Sequence, residues 1–173
     1  MNNQPQKHSD SFVGYLFQRC AQDKGFAARL RRADNPATEF QSWDTLAAFG
    51  VNLEFAPERQ PFALIAAAVA RCQKPANGTL SLGKAIAQCF DDGNQSDQAK
   101  ARLRRLLACD QIEELCRILR PLLSLIQSRV SQPLDYARLL SELRWFDRSA
   151  QQTKARWAQQ FYGKTAETEK EQS

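Results

Sequence analysis

Between Ser96 and Val130 the chain lays arginines over a leucine stripe, Ala-Lys-Ala-Arg-Leu-Arg-Arg-Leu-Leu at 99–107 and Glu-Glu-Leu-Cys-Arg-Ile-Leu-Arg-Pro-Leu-Leu at 113–123. A guanidinium is a planar fork that matches the oxygens of a phosphate. Clustered without a nucleophile or base, such groups hold an anion rather than make or break a bond. Other chemistry finds few residues to work with. His8 is the only histidine and sits in a polar N-terminal stretch, so catalysis through a histidine base is not expected. Asp91-Asp92 comes nearest to a metal-binding carboxylate cluster, but Gly93-Asn94 follow at once and the four read as a turn. No glycine-rich phosphate loop is present, and Gly83-Lys84 falls inside a short helix. The expectation is a protein without catalytic activity, metal or cofactor.

The 173 residues suffice for one domain or two small helical lobes, and a 43% hydrophobic content is enough for a core. Twenty-four Lys and Arg against 19 Asp and Glu leave a net charge of +5, a surplus whose meaning lies in its distribution. Sixteen of the 24 cations are arginine. The competing reading is a helical surface laced with salt bridges. The first residues lack the apolar core of a signal peptide, and the longest apolar run, 62–70, is too short to cross a bilayer. A cytoplasmic protein is expected. Cys20, Cys72, Cys89, Cys109 and Cys116 form an odd set without a Cys-x-x-Cys pair and read as small reduced core residues.

Apolar residues recur at spacings of three and four almost throughout, which predicts an all-α fold. Helices are expected over 9–22, 25–33, 43–49, 58–73, 82–90, 97–109, 111–130, 134–146 and 149–162. Asp34-Asn35-Pro36 breaks the chain after the second of these, and Ser81 is placed to cap the helix that follows it. The 91–95 turn divides the chain into expected lobes at 1–90 and 96–162, a two-lobed bundle of eight or nine helices, and the polar tail at 163–173 reads as disordered. Pro121 should kink its helix, because it removes one backbone bond and disfavours a helical Arg120.

The aromatic residues Trp43, Trp145, Trp157, Phe161 and Tyr162 fall among leucines and alanines, so core packing explains them better than base stacking. That leaves backbone contact through arginine, which gives affinity without sequence preference. Some cations have local partners: Glu113 is spaced to pair with Arg117, and Glu142 with Arg138. Arg102 and Arg105 have no acidic residue three or four positions away, which makes them the better candidates for an external anion.

The order of several short phrases resembles the CasB family, the small subunit of the type I-E CRISPR complex Cascade. These are Ala28-Arg-Leu-Arg-Arg-Ala33, Ser81-Leu-Gly-Lys-Ala-Ile-Ala87, Arg102-Leu-Arg-Arg-Leu-Leu-Ala-Cys-Asp110, Ile118-Leu-Arg-Pro-Leu-Leu123, Leu134-Asp-Tyr-Ala-Arg-Leu-Leu140 and Trp157-Ala-Gln-Gln-Phe-Tyr162. Each phrase alone is an ordinary helical segment; their order and spacing carry the likeness. The resemblance implies a two-lobed helical protein without catalysis, paired with a second copy of itself beside the backbone and large subunits. Its basic surfaces would hold the target and displaced DNA strands while guide RNA pairing reads sequence. By motif position Arg31, Arg32, Lys84, Arg102 and Arg120 match the family's basic residues; Arg59 and Arg148 follow from a looser alignment. Pro121 departs from the family, which more often has a further cation there.

The resulting candidate set is Arg31, Arg32, Arg59, Lys84, Arg102, Arg105, Arg120 and Arg148. Two other readings stand beside it. A helical scaffold would turn its arginines to acidic partner proteins. A helix-turn-helix repressor would need a recognition helix rich in Asn, Gln and Arg at a clear turn, and none is visible.

Overall fold

The helix spanning Ala56–Arg71 carries ten consecutive buried residues, Pro61 to Ala70. A helix apolar on all sides must be covered on all sides, and the five alanines in this buried run let neighbours approach closely. Around it the computed structural model, which describes residues 4–163, winds a bundle. In chain order the helices are α1 (Gln4–Gln22), α2 (Lys24–Arg32), α3 (Trp43–Ala48), α4 (Ala56–Arg71), α5 (Leu82–Gln88), α6 (Asp97–Leu107), α7 (Ile112–Arg129), α8 (Tyr136–Arg144) and α9 (Phe146–Tyr162). The fold is all-α as the periodicity predicts, and one parallel bridge, Leu80 to Leu134, is the only extended pairing among the described residues. The tail expected beyond Gly163 lies outside them.

Helices α1, α2, α7 and α8 pack on α4, α1 also packs on α8, and α5 pairs with α9. The turn expected at 91–95 lies between α5 and α6 and contains a short 3-10 helix, Gly93–Gln95. Helices from both sides of that turn share one hydrophobic core running from Phe12 to Phe161.

Local chemistry explains most boundaries. Side chains of Asp23, Ser96 and Asp135 accept from the backbone N–H of Phe26, Ala99 and Arg138, closing the starts of α2, α6 and α8. Asp34-Asn35-Pro36 does end α2, but the chain then enters a 3-10 helix, Pro36–Ser42, capped by Asn35. Ser81 occupies the position before α5 without making the cap bond, and its hydroxyl has no partner. The reason lies in α9: Gln160 reaches across and accepts from the Gly83 N–H at 3.1 Å. Helix α7 runs through Pro121 unbroken; the departure from helical backbone falls instead in α9, at Ser149 (φ −140°). The five cysteines are free; burial pushes up the thiols of Cys20, Cys89, Cys109 and, to about 12, Cys116.

Gly83 is where α5 and α9 touch backbone to backbone: a Cβ there would lie 2.3 Å from the Trp157 carbonyl oxygen. Gly83→Ala should therefore cost about 1–3 kcal/mol in chemical denaturation through overpacking. Gly14→Ala, on an open face of α1 with nothing within 4 Å, should gain about 0.5–1 kcal/mol from helix propensity. Equal effects at the two positions would refute the close-contact account.

Candidate nucleic-acid interface

The acidic residues of the bundle decide which cations are available. Asp34, just past α2, takes Arg71 of α4 and, at 3.1 Å, Arg120 of α7. Glu39, nearly buried, takes the Arg59 Nε at 2.6 Å; that guanidinium also donates to the Leu53 carbonyl and lies over Trp43. Glu142, buried, accepts from the Trp157 indole at 2.8 Å and faces Arg138 and Arg156 at 3.4 Å. Arg144 turns inward to the Pro5 carbonyl and the Ser9 hydroxyl, pinning α1 to α8, and burial lowers its pKa.

This geometry splits the sequence candidates. Arg59 and Arg120 are engaged internally, with 19% and 22% of their side chains exposed, and belong to the architecture. Arg31 is exposed but spends one donor on the Ala70 carbonyl at the end of α4. Arg148 is exposed with its guanidinium over Trp145. Arg32, Lys84, Arg102 and Arg105 are exposed and, among the described residues, have no carboxylate or carbonyl within bonding distance. Arg104 shares that condition. The structure thus groups three free arginines on α6 and leaves Arg32, Lys84 and Arg148 on other helices.

Helix α6 presents two of them to a groove. Leu103 and Leu106 are fully buried, which turns Arg102 and Arg105 outward along the α6–α7 seam. There they line an open groove of about 800 Å³ with Arg117, over a floor that includes Ile118, Pro121 and Leu122. One carboxylate, Glu114, also lines it. Sequence spacing discounted Arg117 through Glu113. The ion pair observed is with Glu114, at a loose 3.9 Å, and the Arg117 side chain is 74% exposed. Exposure was the missing signal. The Arg138–Glu142 pair forms as expected. No group of three or more metal-ligating side chains occurs among the described residues, and no helix there is long and apolar enough to cross a membrane.

The model of the CRISPR-associated protein Cse2 family matches residues 27–162. The chain belongs to the Cse2 family. The crystal structure of CasB from M. ruber superposes with a TM-score of 0.74 at 27% identity, over 96% of this chain and 98% of that one. A chain of a CRISPR RNA-guided surveillance complex superposes with a TM-score of 0.75 at 24% identity, over 97% and 98% of the two chains. The second likeness is one of fold alone. A comparison with curated proteins returned no significant match. The Cse2 match takes in α6, α7 and their groove, and the resemblance carried by the short helical phrases is to the family shown.

The sorting of cations predicts a contrast in stability. Arg59→Ala leaves Glu39 nearly buried without its partner and should cost roughly 3 kcal/mol in urea denaturation. Arg102→Ala with Arg105→Ala removes two exposed, unpaired groups and should change stability by no more than about 1 kcal/mol. A double variant as unstable as Arg59→Ala would make the α6 arginines structural.

Proposed function

We propose that this chain is a non-catalytic small subunit of a type I-E CRISPR Cascade ribonucleoprotein. In it the chain binds the backbones of the target and displaced DNA strands and stabilises the R-loop in antiviral defence. The observation that carries the reading is the α6–α7 groove: Arg102 and Arg105 stand exposed and unpaired beside Arg117, with Glu114 the one carboxylate in the lining. Membership of the Cse2 family supplies the context, and the fold shared with a chain of an RNA-guided surveillance complex agrees with it. Its partners are the backbone and large Cascade subunits, a second copy of itself, and the guide RNA–target DNA R-loop, in the cytoplasm and away from membranes.

The mechanism is electrostatic. Opening a duplex against a guide RNA exchanges one set of base pairs for another of nearly equal stability. Contacts worth about 1 kcal/mol each can therefore tip the exchange toward the open state. Arg32, Lys84, Arg102, Arg105 and Arg148 are the assigned strand-holding residues, with Arg117 added. Arg59 and Arg120 hold the bundle together, and Arg31 serves both the α4 end and the surface.

The test is reconstitution. Cascade lacking this subunit should keep its guide RNA but fail to form a stable R-loop on target DNA. Adding the chain back should restore it. Adding back Arg32→Ala with Arg102→Ala should restore assembly while leaving target affinity up to about 30-fold weaker, at about 1 kcal/mol per lost contact. A double variant that cannot join the complex would favour the protein-scaffold reading. One that joins and binds target normally would remove these charges from the mechanism.

A further inference from the structure

A second cleft lies away from the α6–α7 groove, where α1, α4 and α7 all end. Its volume is about 1160 Å³, and the loops at 72–75 and 130–134 form part of its wall. Five cations line it, Lys24, Arg31, Arg71, Lys74 and Arg129, and not one Asp or Glu does. Helix C-termini need some positive charge. Each carries about −0.5 elementary charge, so three account for roughly −1.5 against five cations. Part of the charge is used this way, since Arg31 donates to the Ala70 carbonyl, and Arg71 is separately held by Asp34 behind the wall. The surplus remains. Lys24 and Lys74 are exposed and have no partner among the described residues, and one Arg71 nitrogen, Nη2, is buried without an acceptor.

The cations stand on different walls: Lys24 and Arg31 on α2, Arg71 and Lys74 at the end of α4, Arg129 at the end of α7. A flexible chain of negative charges can enter between such walls, whereas a stiff duplex presents its phosphates only on a convex surface. Aromatic platforms are missing, since Phe17 and Tyr136 in the lining are buried. Contact is therefore to backbone rather than to base faces. The cleft also adjoins the α6 face. Arg129 donates to the Cys89 carbonyl at 3.4 Å, just past the end of α5, and α5 packs against α6. The end of α5 thus lies between Arg129 of the cleft and helix α6.

We propose that this carboxylate-free cleft is a second polyanion site, which takes the phosphodiester backbone of a single nucleic-acid strand continuing from the α6 face. The inference rests on the strand-holding reading above and adds Lys24, Lys74 and Arg129 to the residues that perform it.

The probe is a fluorescein-labelled oligothymidylate, followed by anisotropy with the full chain over a range of salt concentrations. Lys24→Ala with Lys74→Ala should weaken binding about tenfold and make the log–log salt slope shallower by about 1.4, two contacts at about 0.7 each. Its melting temperature should match wild type, and affinity for duplex DNA of the same length should change less than twofold. Unchanged oligothymidylate binding overturns the cleft; if Arg102→Ala with Arg105→Ala still loses affinity, the α6 reading survives. If neither variant loses affinity, both fall. An equal loss for duplex and single strand overturns the commitment to a single strand. Displacement of the probe by polyglutamate at equal charge concentration would make the cleft a site for acidic protein segments and overturn it as well.

Discussion

One carboxylate, Asp34, is shared by two arginines from different helices, and the arrangement of the bundle depends on it. Arg71 ends the alanine-rich α4, and Arg120 lies two-thirds of the way along the chain on α7. Alanines pack closely but offer little shape to fix how one helix sits against the next. Directional polar bonds supply that. Gln127 of α7 donates to the Ala68 carbonyl and to the Tyr136 hydroxyl, both at 2.7 Å, and accepts from Arg71. The net ties α2, α4, α7 and α8 at one end of the bundle. Two half-buried guanidinium groups meeting there are tolerable only because a carboxylate lies between them.

The same constraint sorts the charge. The half-buried and buried carboxylates Asp34, Glu39 and Glu142 take up Arg59, Arg71, Arg120, Arg138 and Arg156. What they leave over is not scattered evenly, for α6 carries three exposed arginines in four residues, and the cleft at the helix ends carries no carboxylate at all. A modest net charge of +5 thus conceals strong local fields. Fields of that kind attract phosphate chains and fade with salt.

Much of this was legible from residue order. Three- and four-residue periodicity located the helices because the core is made of their apolar faces, and the absence of local acids correctly left Arg102 and Arg105 unpaired. The internal partners of Arg59 and Arg120, Glu39 and Asp34, lie 20 and 86 residues away; spacing rules see one helix turn, not a tertiary contact. Ser81 failed as a cap for a similar reason, since Gln160 of a distant helix reached the Gly83 N–H first. Pro121 was tolerated on an exposed helix face, where water can take the place of its missing bond. The cleft could not be read at all, because it gathers residues from 17 to 136.

Salt dependence of duplex DNA binding by the isolated chain tests most directly whether the unpaired α6 cations hold the nucleic-acid backbone. With four to six phosphates contacted, log affinity against log salt should fall with a slope of about −3.6 to −5.4 and show no preference for sequence. Replacing Arg102 and Arg105 by alanine should make that slope shallower by about 1.8. A flat slope for the unaltered chain, a marked preference for one sequence, or an unchanged slope in the double variant would contradict the account.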